Sequence, residues 1–235
     1  MDKLTQLQKI IDEANRIVFF TGAGISTESG IPDFRSNNGL FAMNKKAEEI
    51  VSHSFFIRHT KEFYDFYKEK MIFPDAQPNP AHLKIAQLEE KKKVCVITQN
   101  IDGLHQKAGS TNVVELHGSV LRNYCQKCHK FYGVSKIIES EAVPYCDCKG
   151  IIKPDVVLYE EALNSEDITK AILEISNADT LIICGTSLAV YPAASFISYF
   201  AGNNLVVINK DSTFADNNAD LVIHDSLAKV LDALN

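Results

Sequence analysis

No apolar stretch in the 235-residue sequence approaches the length needed to cross a bilayer; Leu205 to Ile208 is representative. No basic segment followed by an apolar run opens it either, its first residues being Met1-Asp2-Lys3-Leu4-Thr5-Gln6. No secretory signal is read there, and a cytoplasmic protein with no membrane partner is expected. An excess of positive charge is missing too. With 24 Lys and Arg against 30 Asp and Glu, the net charge of −6 argues against nucleic acid as a partner, because that binding rests on neutralised phosphates. Proline and glycine are few, 7 and 11, while 46% of residues are hydrophobic and 23% charged. That composition excludes a disordered chain and implies a packed core, in one large domain or one domain carrying an insertion.

Short apolar runs at residues 17–20, 94–98, 113–116, 180–184, 205–209 and 221–224 read as buried strands. Amphipathic helices separate several of them. One places Leu4, Leu7, Ile10, Ile11 and Ala14 on a single face. Another is capped by Asn79 with Pro80 at its first position. Others begin at Ser165, with Glu166 and Asp167 at the positive end of the dipole, at Pro192, and after Asp225 or Ser226. The alternation predicts an α/β fold with a doubly wound, Rossmann-like parallel sheet, whose ligands bind at the carboxyl ends of the strands. Two stretches interrupt it: the helix-leaning, aromatic-rich residues 37–75, and residues 119–157. We read both as insertions forming a smaller lobe, with residues 1–36, 76–118 and 158–235 making the sheet domain.

The strand ends carry the chemistry. After residues 17–20 comes Gly22-Ala23-Gly24-Ile25-Ser26-Thr27, where close glycines allow a tight turn against a pyrophosphate favoured by a following helix N-terminus. The strict dinucleotide fingerprint fails, because Thr27 holds the place of its third glycine. Asp33-Phe34-Arg35 follows; alone it reads equally as a capped turn with a solvated arginine. Leaving residues 94–98, Gln99-Asn100-Ile101-Asp102 crowds amides and one carboxylate that suit a carboxamide and a ribose. His117, followed by Gly118, is placed as a general base, although a lone histidine is more often structural. Gly185-Thr186-Ser187 and Asn209-Lys210-Asp211 offer further ribose or phosphate contacts, with ordinary turns as the alternative.

Of six cysteines, Cys95 and Cys184 lie in strand-like runs and read as small hydrophobes. Cys125-Gln126-Lys127-Cys128, seventeen residues, then Cys146-Asp147-Cys148 read as a zinc ribbon. Four thiolates close the coordination, so one structural Zn²⁺ per chain is expected. His129 is a weaker substitute for Cys128, and paired reactive thiols are the remaining alternative.

Gly-Ala-Gly-Ile-Ser, Gly-Ile-Pro-Asp-Phe-Arg, Thr-Gln-Asn-Ile-Asp-Gly-Leu-His, Glu-Leu-His-Gly, the four cysteines and Gly-Thr-Ser-Leu, in that order, resemble the sirtuin family of NAD-dependent protein deacylases. The similarity runs from about Ile17 to the last helix and is strongest to compact bacterial members. It implies that Ala23, Gly24, Thr27, Asp33, Phe34 and Arg35 line the phosphate and nicotinamide-ribose side of NAD. Gln99, Ile101 and Asp102 would hold ribose and carboxamide, with Asn100 ordering a water or the reacting ribose. Gly185, Thr186, Ser187, Asn209 and Lys210 would take the adenosine half, with Asp225 or Ser226 near adenine. The resemblance makes Asn100 and Asp102 catalytic beside His117, which would deprotonate a ribose hydroxyl after an acyl-lysine oxygen has displaced nicotinamide. The partner would be an acyl-lysine protein or peptide, adding as a strand near Val156, Val157, Leu158 and Tyr159, and the enzyme a monomer.

Two departures from the family pattern matter. Glu160 stands where a glycine is usual, which is expected to alter peptide docking or to favour lysines flanking the target. A Tyr-x-x-Arg pair for acidic acyl groups is missing from residues 40–60, so acetyl and other uncharged acyls are expected over succinyl. Three rivals remain: a hydride-transferring dehydrogenase, a catalytically silent NAD or ADP-ribose sensor, and mono-ADP-ribosyl transfer to protein.

Overall fold

The computed structural model describes residues 2–34, 36, 39–44 and 46–235. Nine strands occur among them: β1 (Arg16–Thr21), β2 (Lys93–Thr98), β3 (Val113–Glu115), β4 (Gly118–Cys125), β5 (Phe131–Gly133), β6 (Ile152–Val156), β7 (Thr180–Cys184), β8 (Asn204–Ile208) and β9 (Leu221–Ile223). The six apolar runs give β1–β3 and β7–β9, and these form one sheet in the order β3-β2-β1-β7-β8-β9. Every pairing in it is parallel.

Strand residues alternate between two apolar layers, as the period of a strand requires. Ile17, Phe19, Val96, Ile182 and Val206 pack with helices Lys3–Glu13, Pro80–Leu88 and Leu227–Asp232. Val18, Phe20, Ile97, Ile183 and Val207 face helix Ser165–Asn177 and the 3-10 stretch Ala193–Tyr199. Cys184 lies in the first layer and Cys95 in the second, and burial pushes the Cys95 thiol up to about 12. Both are packing residues, as expected.

The helix starts follow their caps. Asn79 accepts from Ala81 N–H, and Ser226, not Asp225, caps the last helix by accepting from Lys229 N–H. Asn164 caps the helix that begins at Ser165. The segment after Pro192 differs from expectation, being a 3-10 helix instead of an α-helix.

The smaller lobe holds the antiparallel sheet β5-β4-β6 and the helices Leu40–Met43, Ala47–Ile50, His53–Arg58 and Thr60–Lys70. Phe56, Phe63, Tyr64 and Tyr67 pack onto Ile152, Val156 and Leu158, and the Tyr64 hydroxyl donates to the Ile152 carbonyl. Pro154 sits in β6, which is an edge strand, where a missing N–H costs no ladder bond.

Candidate active site

β1 and β7 are neighbours at which the strand order reverses, so their carboxyl ends open a crevice. Gly22 N–H donates to Cys184 O at 3.1 Å and Gly24 N–H to Gly185 O at 2.8 Å. A Cβ on Gly24 would stand 2.8 Å from Gly185 Cα, so the approach of the two backbones requires glycine. The chain then makes two 3-10 turns, Ala23–Ile25 and Thr27–Ser29, in place of the long helix that a dinucleotide fingerprint opens. Thr27 spends its hydroxyl locally, donating to Gly24 O at 3.0 Å. Turns this short bring no long helix dipole to the crevice.

The crevice widens into a cleft of about 1090 Å³. Ala23, Gly24, Thr27, Asp33, Phe34, Gln99, Asn100, Ile101, Asp102, His117, Val156, Val157, Leu158, Tyr159, Gly185, Thr186, Ser187, Asn209, Lys210 and Asp225 all border it. Ser226 does not border it; its hydroxyl caps the last helix and also donates to Glu28. Arg35 lies outside the described residues.

A buried polar network organises the centre. Ser26, 1% exposed, donates to Asp102 Oδ2 at 2.7 Å and accepts from Asn100 Nδ2 at 3.1 Å. Asp102 Oδ1 accepts from Leu104 N–H at 2.9 Å, yet burial raises the carboxyl's pKa. Gln99 Nε2 donates to Thr186 Oγ1 at 3.0 Å, joining β2 to β7 across β1. Sequence reasoning quoted Ser26 within the glycine turn but gave it no role, because its partners lie more than seventy residues away.

His117 Nδ1 stands 2.9 Å from the Gln99 carbonyl. A carbonyl can only accept, so Nδ1 carries the hydrogen and Nε2 keeps its lone pair. Burial lowers the pKa of this imidazole and so favours the neutral form wanted in a base, while the hydrogen bond to Gln99 favours the charged form and offsets only part of that. The segment beside it is already well bonded. Val157 N–H donates to His117 O at 3.0 Å, Leu158 N–H to the Glu161 carboxylate at 2.9 Å and Tyr159 N–H to Val51 O at 3.1 Å. Glu160 adopts φ 75°, and its carboxylate accepts from Ser54 N–H at 2.8 Å and from Ser54 Oγ at 3.0 Å, tying it to helix His53–Arg58.

Away from the cleft, the sulfurs of Cys125, Cys128, Cys146 and Cys148 lie within 4.8 Å of one another, the closest pairs at 3.4–3.5 Å. A tetrahedral tetrathiolate with Zn–S near ~2.3 Å places its sulfurs ~3.8 Å apart, so the set suits zinc and is far too open for disulfides. Lys127 N–H and the Tyr132 hydroxyl donate to Cys125 and Cys146 sulfur at 3.3 and 3.1 Å, spreading the negative charge. A Cβ on Gly150 would come within 2.6 Å of Cys125 Sγ. His129 is not part of the cluster.

The family model described as the Sir2 family matches residues 22–192. The chain belongs to the Sir2 family. Among proteins similar to this Sir2 chain, an NAD-dependent protein deacetylase of Clostridium perfringens (strain 13 / Type A) is 62% identical over 239 residues, covering 98% of this chain and 97% of its own. A solved Sir2 structure with deacetylated p53 peptide and 3'-O-acetyl ADP-ribose superposes with TM-score 0.91 at 42% identity, covering 98% of this chain and 96% of that one. A second, with p53 peptide and NAD+, gives TM-score 0.86 at 41% identity, covering 98% and 96%.

Proposed function

We infer that this Sir2 chain is an NAD-dependent protein-lysine deacetylase, moving the acyl group of an acyl-lysine to ADP-ribose. The products are nicotinamide, O-acyl-ADP-ribose and deacylated protein. One observation carries the reading: an imidazole with a free Nε2 shares a cleft with the glycine turn on one side and an extended segment on the other.

Bound NAD supplies a ribose carbon made electrophilic by its bond to nicotinamide. The Gly22–Gly24 backbone, Thr186 and Ser187 would hold the phosphates and the near ribose, while Asn209, Lys210 and Asp225 would take the adenosine half. Phe34, Gln99, Ile101 and Asp102 would surround the nicotinamide side, and Asn100, fixed by Ser26, would order a water or the reacting hydroxyl. His117 Nε2 would accept a ribose-hydroxyl proton. The acyl-lysine enters beside Val156–Tyr159. Its acylated nitrogen is neutral, so the apolar walls at Ile101, Val156 and Leu158 cost it little desolvation, whereas a lysine ammonium is excluded. Those walls also suit acetyl better than succinyl. Zinc, held by Cys125, Cys128, Cys146 and Cys148, supplies a structural cross-link.

The enzyme is proposed to act as a monomer. Among the described residues no helix is long and apolar enough to cross a membrane. Four thiols gathered for a metal suit a reducing compartment, which supports the cytoplasm.

The test is to incubate protein, NAD and an acetyl-lysine peptide, following peptide mass, nicotinamide and NADH. Loss of the acetyl mass matched by nicotinamide is expected, with His117→Ala slower by ~10²–10⁴-fold. NADH formation, transfer of ADP-ribose to protein, or an unaffected His117→Ala enzyme would each sink the reading. A succinyl peptide, run in parallel, should turn over more slowly.

A further inference from the structure

The tie between the base and the peptide segment has an ionic part outside the cleft. His117 follows β3 by two residues and Val157 follows β6 directly, and the two are joined by the Val157 N–H to His117 O bond at 3.0 Å. Two residues upstream of each stands an acid, Glu115 at the end of β3 and Asp155 on β6. One guanidinium holds both. Arg122 on β4 donates through Nη1 to Glu115 Oε2 at 2.6 Å and through Nε to Asp155 Oδ2 at 2.8 Å. The Glu115 side chain is only 10% exposed, so this pair is less screened than a surface ion pair. β4 shifts register against β6 between Ser119 and Asn123, the stretch that carries Arg122.

We propose that Arg122 is a positioning residue for deacetylation: by clamping Glu115 to Asp155 it sets the distance between the His117 imidazole and the acyl-lysine lying along Val156–Tyr159. Arg122 acts through the two acids and does not belong to the cleft lining. Its planar fork serves two carboxylates at once, which the point charge of a lysine does less well. The consequence is kinetic, because general-base catalysis and attack both depend on placement to within about 1 Å. The proposal rests on the deacetylase reading.

Arg122→Met, Arg122→Lys and Glu115→Gln test it, each measured for kcat and for the KM of peptide and of NAD. Arg122→Met is expected to lower kcat roughly tenfold and to raise the peptide KM. The KM for NAD should stay within about twofold, since the Gly22–Gly24 turn and Thr186 lie outside the clamp. Arg122→Lys should fall between Arg122→Met and the unaltered enzyme. Hydrogen exchange without ligand supplies a readout independent of activity: the Val157 amide should exchange faster in Arg122→Met while β1 and β7 amides are unchanged. Should Arg122→Met fail to fold, Glu115→Gln, which keeps the side chain's shape, must show the same kinetic split and the same faster exchange. The clamp is overturned if the altered protein loses thermal stability alone with kcat and peptide KM intact. It is equally overturned if the NAD and peptide KM rise together, or if Val157 exchange does not move. An unaltered enzyme that releases no nicotinamide with acetyl peptide would instead count against the deacetylase reading, and the exchange result would still decide the clamp.

Discussion

Burial sets the working range of His117. Desolvation lowers its pKa from the usual 6.5, and the Gln99 hydrogen bond, which favours the charged form, offsets only part of that. A base must be neutral to act, so activity is lost as pH falls through the folded-state pKa, not through 6.5. The acid limb of kcat/KM for an acetyl peptide should therefore have its midpoint below that of an unperturbed histidine; a midpoint at or above 6.5 would refute the assignment. The position of His117 was legible in the sequence, because a histidine directly after the buried apolar run 113–116 must lie near a strand's carboxyl end. Its tautomer was not, since the deciding carbonyl belongs to Gln99, eighteen residues earlier. His105 marks the same limit. Quoted within the Gln99 motif, it is in fact 1% exposed, packed against the tilted ring of His82 and held neutral, its pKa lowered to about 3 by burial and by that neighbour.

Short elements were the hardest to read. The six sheet strands announced themselves as aliphatic runs between turn residues, and the cysteine spacing announced the ribbon. The two 3-10 turns after Gly22 span three residues each, too few to show any period. β5 and β6 are short and carry Gly133 and Pro154, so neither resembles a strand in isolation. Where elements join, glycines divide into two kinds. Gly118 has φ 73° and its added Cβ would lie 1.9 Å from Asp155 O, whereas Gly30 has φ 85° with nothing within 4 Å. The left-handed backbone alone costs an alanine ~1–2 kcal/mol, so Gly30→Ala should lose about that much. Gly118→Ala adds a backbone clash and should lose more than ~3 kcal/mol in urea unfolding. It should also lose activity, since its neighbour is His117. Equal losses at the two positions would mean that the β4–β6 junction is softer than its geometry indicates.

At the scale of the molecule, four apolar bodies are distinct among the described residues, the smallest being Leu40, Ala47, Val51 and Phe66. The two layers that sandwich the large sheet draw no residue from 119–157, while the third gathers the aromatic helices, β4, β6 and three of the four cysteines, Cys125 and Cys146 buried and Cys148 partly so. Metal and core are thus one unit in the small lobe, and the same unit contains Val156 and Leu158 beside the cleft. Without a cation, four thiol sulfurs at 3.4–3.5 Å would repel once ionised, and the binding energy of such sites is folding energy, on the order of 10–16 kcal/mol in zinc fingers. Stripping the metal with a thiol reagent and a chelator should release one zinc per chain and abolish deacetylation. Amides from β4 to β6 and in helix Thr60–Lys70 should lose exchange protection, while those of β1, β2, β7 and β8 keep theirs. The large sheet holds the glycine turn, so weakened NAD binding should outlast peptide binding as zinc is withdrawn. Loss of both in a single step, with protection collapsing throughout the chain, would mean that the lobes fold as one cooperative body and that the separation of their cores has no thermodynamic weight.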